Sequence, residues 1–306
     1  MREDPAQIAE RVARRLGPIE GPPEPLSGGI TNRNFRVRVG GQDYVVRVPG
    51  QDTELLGIDR RAEHQAARAA ASVGIGPEVA LFAADEGCLV TRFVAARPLS
   101  GRELGAPGTL ELAARALRAF HGTGPLPTTF NVCQIGRAYR DVALARGVSM
   151  PVAYEAAARC AQEIDAALRG PEHEPVPCHN DLLTANFLLD GDRLWIVDWE
   201  YAGMGDRYFD LGNLAVNNEL DESEEERLLA AYFDEPPSPG RLACLRLMRI
   251  ASDFREAMWG VAQQGLSDLH FDFVAYADDH FARLLEAAGD PRYEQWLQEA
   301  YDHQTA

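Results

Sequence analysis

The chain of 306 residues contains no lysine, so all 30 of its basic residues are arginine. That absence excludes Schiff-base and pyridoxal chemistry through a lysine, and it excludes a Walker A phosphate loop. Any cationic contact to phosphate must come from arginine. Cysteine is scarce as well: five residues, an odd number without metal-ligand spacing, make no disulfide framework, and Cys178 is expected to be a buried thiol. No apolar run reaches the roughly 18 residues of a membrane span. The charged start Arg2-Glu3-Asp4 lacks the apolar stretch of a secretory signal, so a cytoplasmic location is expected. Positive charge is short overall. A net charge of −17 argues against nucleic acid as a partner and favours cationic ligands. His179 has no second histidine at zinc spacing, and Ser27-Gly28-Gly29 is no nucleophile elbow.

What is present is a globular chain, 46% hydrophobic and 25% charged, long enough for one large domain or two ordinary ones. Residues 5–16 read as an amphipathic helix with Ile8, Val12 and Leu16 on one face. Leu26-Ser27-Gly28-Gly29-Ile30-Thr31-Asn32 then leads into a hairpin, with Phe35–Val39 and Tyr44–Val48 either side of Gly40-Gly41. The turn reads either as an ordinary tight turn or as a phosphate cover, in which Gly28, Gly29, Thr31 and Asn32 offer amides and hydroxyls to a nucleotide. Asp59 opens a helix to about Ala71, and 77–82 and 89–94 read as strands. Arg47 on a strand and Glu63 on that helix suit the ion pair that positions phosphates in kinases, the alternative for Glu63 being a solvated helix charge.

Around Arg92 and Val94 the last strand runs into polar sequence, where a hinge would offer backbone groups to an adenine edge. This divides the chain into a nucleotide-binding lobe, 1–94, and a catalytic and substrate-binding lobe, 95–306. Beyond the hinge the pattern is mainly helical, with helices expected near 109–121, 131–146, 152–169, 208–218, 222–233, 240–264, 271–288 and 292–301. The fold class is therefore α+β.

Interrupting the helices is His179-Asn180-Asp181-Leu182, with Asn186 five residues after Asp181 and Asp198 closing the next apolar run. Phosphoryl transfer needs a carboxylate for the attacking hydroxyl, plus an amide oxygen and a second carboxylate for magnesium. The competing reading is a polar hairpin whose Asn and Asp cap turns.

On these residues, together with Tyr44-Val45-Val46-Arg47-Val48, Val197-Asp198-Trp199-Glu200-Tyr201 and Phe209-Asp210-Leu211-Gly212-Asn213, the chain resembles the choline/ethanolamine kinase and aminoglycoside phosphotransferase superfamily. Its bacterial choline-kinase-like members are the nearest in pattern. The resemblance implies a bilobal, protein-kinase-like fold with a small sheet-containing N-lobe, a mainly helical C-lobe and ATP between them. It also implies Asp181 as catalytic base, Asn186 and Asp198 as Mg2+ ligands, Arg47 on the phosphates with Glu63 as its partner, and Asp210 as a brace for the catalytic loop.

The acceptor side follows from the helical stretch 252–263, where Glu256 lies three residues before Trp259, on the same face. An indole beside a carboxylate can hold a small cationic alcohol through cation–π attraction and charge. The resemblance adds Glu200, Tyr201 and Tyr276 as further walls. The alternative makes Trp259 and Tyr276 core aromatics and pairs Glu256 with Arg255 or Arg249. Two departures stand out: eukaryotic choline kinases carry a second tryptophan where this chain has Glu256, and an acid where it has Asn217. The function expected is ATP- and Mg2+-dependent phosphorylation of choline or a related amino alcohol such as ethanolamine. The alternatives are a kinase for another hydroxyl compound, such as an aminoglycoside or thiamine, and a nucleotide-binding pseudokinase that serves as an interaction module. Oligomeric state is left open.

Overall fold

The Gly40-Gly41 pair sets the first unit's sheet. Both glycines have positive φ, +58° and +74°, the backbone that a two-residue hairpin turn demands. The computed structural model describes residues 3–26 and 31–303. Gly28 and Gly29, assigned to the phosphate cover, lie outside the described residues. Helix α1 (Pro5–Ala13) is followed by strands β1 (Glu24–Pro25), β2 (Asn32–Val39) and β3 (Gln42–Pro49). Helix α2 (Arg60–Ser72) and strands β4 (Val79–Ala83) and β5 (Cys88–Arg92) complete the run. The antiparallel sheet has the order β1-β2-β3-β5-β4. Ala9 and Val12 of α1 pack on Phe35, Val37, Val46, Val48 and Val90. Because strand side chains alternate, burying Val46 and Val48 on that face sends Arg47 to the other. The first helix ends at Ala13, short of the expected Leu16, as the chain approaches Gly17-Pro18. Asp59 caps α2 as expected, accepting from the amides of Arg61 and Ala62 at 2.7 and 3.1 Å.

Residues 188–201 pack with this unit although they follow ninety residues of the other. They carry a hairpin of Phe187–Asp190 and Arg193–Ile196, turned at Gly191. Its end is tied down where the Ile196 amide donates to the Ile75 carbonyl at 2.7 Å.

The second unit, 98–187 with 202–306, is built from helices. In order these are α3 (Gly101–Gly105), α4 (Thr109–His121), α5 (Val132–Ala145), α6 (Tyr154–Ala167), α7 (Arg207–Asn217) and α8 (Glu222–Phe233). The long α9 (Pro239–Leu266), α10 (Phe273–Ala288) and α11 (Tyr293–His303) follow. Helix α9 is the axis of the unit, packed against by α5, α6, α7, α8, α10 and α11. It is buried without a break from Ile250 to Gln263, so its polar residues there must find partners inside the protein. Among the described residues no helix is long and apolar enough to cross a membrane.

Candidate active site

In the first unit the polar face of β3 meets α2. Arg47 Nη1 donates to Glu63 Oε1 and to Asp198 Oδ1, both at 2.7 Å. Glu63 is 1% exposed, so it is a buried partner and not a solvated helix charge. Burial opposes the Arg47 charge, but Asp198, Glu63 and Glu200 outweigh it and hold the guanidinium protonated beyond its ordinary range. Arg60, one turn before Glu63, donates to Glu63 Oε2 at 2.8 Å and to Glu200 Oε2 at 3.2 Å. Its other nitrogen donates to Asn32 Oδ1 and Thr53 Oγ1, and the Asn32 amide donates to Glu200 at 2.8 Å. Burial, then repulsion from Asp198, pushes the Glu200 carboxyl up to about 8 against the pull of Arg47 and Arg60. Two arginines and three acids thus form one connected network, the condition under which buried charge is tolerated. Asn32 and Glu200 were assigned to phosphate and acceptor, but the structure gives both side chains to this network.

Arg92 lies on the sheet, bonded to Gln42 at 2.8 Å and stacked on Tyr44. With Val94 it lines a cavity of about 480 Å³ that also includes Phe93, Asp190, Arg193 and Trp195. Thr31 and Tyr201 are half-buried.

In the second unit, strand Val176–Cys178 pairs with Gly203–Gly205 and delivers the chain into His179-Asn180-Asp181. Helix α7 holds that loop. Asp210 accepts from the Asn180 amide through Oδ1 at 2.7 Å and from the His179 amide through Oδ2 at 2.8 Å, and His121 lies 3.0 Å from Oδ2. One turn on, Asn213 accepts from the Leu182 amide and donates to Ser252 at 2.9 Å. Asn218, just past the helix, accepts from the Thr184 hydroxyl at 2.6 Å. Asn180 and Asp198 both take left-handed backbone, φ +66° and +68°. Asn and Asp are among the few residues that tolerate it, and such conformations gather at functional sites. The Asn186 amide nitrogen donates to the Asp181 carbonyl at 2.8 Å, which fixes the orientation of its amide oxygen.

Asp181 is buried and meets Arg255 of α9. Arg255 Nη1 donates to Asp181 Oδ1 at 3.1 Å and to Glu256 Oε1 at 2.7 Å. The Tyr276 hydroxyl donates to Glu256 Oε2 at 2.9 Å. Burial and then Glu256 drive the Tyr276 pKa up, so the phenol stays a donor. Trp259 stands edge-on to Phe273 and Tyr276, with ring centroids 5.8 and 5.6 Å apart, and Phe271 joins the same aromatic group. The close α9–α10 approach depends on Gly260, where a Cβ would lie 2.9 Å from the Tyr276 ring. The structure therefore brings Asp181, Glu256, Trp259 and Tyr276 together. It also pairs Glu256 with Arg255, whereas Arg249 turns to Glu225 and the Leu220 carbonyl. Glu256 spends both carboxylate oxygens inside the protein, one on Arg255 and one on Tyr276. Asn217, at the end of α7, keeps a buried amide nitrogen with no hydrogen-bond partner among the described residues.

His121, Cys178 and Asp210 bring potential metal-ligand atoms within 4.8 Å of one another. Hydrogen bonds already occupy the histidine and the carboxylate, and burial pushes the Cys178 thiol well up, so this is a packed polar core. All five cysteines are free, and Cys178 is buried as expected. Sequence reasoning missed Arg60 and gave Arg255 only a pairing role. The spacing of Arg60 to Glu63 was visible, but a lone arginine in a helix carries no signal of its own burial.

Similarity to known proteins places this geometry. The model of the phosphotransferase enzyme family matches residues 23–244. A LicA protein of Haemophilus influenzae is 29% identical over 68% of this chain, and the match spans 62% of the LicA length. Ethanolamine kinase 2 of Mus musculus is 29% identical over 91% of this chain and 80% of its own. A choline/ethanolamine kinase family protein from Mesorhizobium loti superposes with a TM-score of 0.82 at 32% identity, covering 97% of this chain and 98% of that one. The α+β architecture is that of the protein-kinase-like phosphotransferases. The chain belongs to the phosphotransferase enzyme family, within its choline/ethanolamine kinase group.

Proposed function

We propose that this protein is an ATP- and magnesium-dependent kinase that phosphorylates the hydroxyl of choline or a related amino alcohol such as ethanolamine. The observation that carries the reading is Asp181 itself. Its loop is anchored by Asp210 and Asn213, and its carboxylate is joined through Arg255 and Glu256 to the Trp259–Tyr276 aromatic wall. Asp181 accepts the hydrogen bond of the acceptor hydroxyl and takes its proton as the oxygen attacks the γ-phosphorus and the bond to ADP breaks. Asn186 and Asp198 would hold Mg2+: a carboxylate and an amide oxygen are the hard donors that ion prefers, and the bond from Asn186 to the Asp181 carbonyl commits the amide nitrogen and spares the oxygen. When bound, the ion neutralises charge on the transferring phosphoryl group.

Arg47, braced by Glu63, supplies the cation for the nucleotide phosphates. The cover over them is assigned to the segment that holds Gly28, Gly29 and Thr31; the Asn32 side chain is committed to Arg60 and Glu200. Arg92 and Val94 belong to the adenine side. Trp259 and Tyr276 face the ammonium group, with Glu256 contributing negative potential and Tyr201 wall, while Glu200 stays with the Arg60 and Asn32 network. The trio Asp181, Arg255 and Glu256 carries a net charge of −1 when ionised, which suits a cationic acceptor. A reducing cytoplasm, where ATP and free thiols coexist, is the location that fits.

The test is ADP release by the purified chain with ATP, Mg2+ and each of choline, ethanolamine, an aminoglycoside and thiamine. Turnover is expected with an amino alcohol, lowered about 10²–10⁴-fold by Asp181→Asn. Turnover with only the aminoglycoside or thiamine would reassign the acceptor. Wild-type turnover by the Asp181→Asn protein would remove the assigned base.

A further inference from the structure

We infer that Arg255 is the positioning residue for the catalytic base, an inference that rests on reading Asp181 as that base. Arg255 is 1% exposed, within the unbroken buried stretch of α9. A guanidinium there is tolerable only against anions, and Nη1 bridges two of them, Asp181 at 3.1 Å and Glu256 at 2.7 Å. Arg255 meets Asp181 at Oδ1, on a loop whose amides are fixed by α7, so the carboxylate has little freedom of rotation and is presented to the acceptor hydroxyl in a defined orientation.

The second partner decides where Arg255 itself can sit. Glu256 is the adjacent residue of the same helix, and its other oxygen is held by the Tyr276 hydroxyl from α10 at 2.9 Å. A continuous set of bonds therefore runs from Tyr276 through Glu256 and Arg255 to Asp181. The aromatic ring that faces the acceptor and the carboxylate that receives its proton are set by one chain of contacts. Reactions that depend on orientation lose about 10²-fold for a displacement of the order of an ångström. Arg255 is then a determinant of turnover more than of acceptor affinity, which comes chiefly from the aromatic faces.

The test compares kcat and acceptor KM for wild type, Arg255→Met, Arg255→Lys, Tyr276→Phe and Asp181→Asn, with folding followed by circular dichroism and thermal melting. Arg255→Met is expected to lower kcat about 10–100-fold while acceptor KM moves less than about threefold. Arg255→Lys should recover part of that loss by restoring a donor. Tyr276→Phe keeps the ring and removes the anchor, so it should lower kcat by about threefold with KM unchanged. Should Arg255→Met unfold because Glu256 is left unpaired, the double variant Arg255→Met/Glu256→Gln removes that charge and is expected to fold with the same low kcat. A folded variant lacking Arg255 that keeps kcat within about twofold of wild type, alongside an inactive Asp181→Asn protein, would overturn the positioning role alone. An active Asp181→Asn protein would remove the base assignment on which it rests.

Discussion

Arg47 answers two carboxylates through one nitrogen, Glu63 from the helix and Asp198 from the returning segment. In a chain without lysine it is the cation proposed for the nucleotide phosphates. Replacing it with methionine should raise the KM for ATP by about tenfold or more while leaving acceptor KM near wild type, as steady-state kinetics will read. Arg47→Lys is expected to fall between the two, because an ammonium is a point charge and cannot reproduce the guanidinium geometry. Much at this scale was legible beforehand. The spacing of Asp181, Asn186 and Asp198 names a reaction, and Arg47 and Glu63 sit at the strand and helix positions where such a pair forms. Arg255 and Arg60 were not legible in these roles. An arginine on a helix reads as a solvated charge until tertiary packing removes the solvent, and nothing local announces that. The setting of Glu200 was not legible for a related reason: its place after Asp198 suggested an acceptor wall, while in the structure its Oε2 accepts from both Asn32 and Arg60.

Helix α7 is the element that makes the catalytic loop a fixed object. Asp210 and Asn213, a turn apart, hold the amides of His179, Asn180 and Leu182, so loop backbone that cannot pair within itself is satisfied by side chains. Asp210→Asn replaces an acceptor oxygen by an amide that must face one of those N–H groups. The expected result is a loss of about 1–3 kcal/mol in a urea melt together with a fall in kcat, because one buried donor is left unmet. Unchanged stability would mean that the loop is held by other contacts. The long helices were readable because their apolar faces repeat with helical period; α4 and α8 fall on the expected residues. The short helix α3 and strand Val176–Cys178 carry too few residues for periodicity to act. The return of 188–201 to the first unit has no signature in linear order, since it is made by contacts such as the Ile196–Ile75 bond.

At the scale of the whole molecule, an excess of acid is managed by arginine. Glu172 shows how. It accepts from the Tyr208 hydroxyl at 2.7 Å and from Arg241 at 3.2 Å, and lies 3.0 Å from His303, tying α7, α9 and α11 in the second unit. Burial pushes its carboxyl up, but the Tyr208, Arg241 and His303 bonds outweigh burial and hold it down at about 2. A folded-state pKa below the unfolded value of 4.5 stabilises the protein above that pH and loses its effect as pH falls toward 2. Glu172→Gln is therefore expected to lower stability by about 1–2 kcal/mol at pH 6, allowing for partial exposure, and the gap from wild type should narrow by pH 3.5. Denaturant midpoints at the two pH values check this; a gap that widens on acidification would reverse the sign. The net charge of −17 acts at the same scale, favouring a cationic acceptor and disfavouring nucleic acid.

The claim on which these scales converge is that Asp181 directs a phosphoryl group onto the hydroxyl of an amino alcohol. Phosphorus NMR of a reaction holding ATP, Mg2+ and choline or ethanolamine reads it directly. The wild-type chain is expected to convert the γ-phosphate resonance into that of a phosphomonoester of the alcohol, and Asp181→Asn to leave ATP intact on the same timescale. Release of inorganic phosphate alone, or equal phosphomonoester from both proteins, would contradict it.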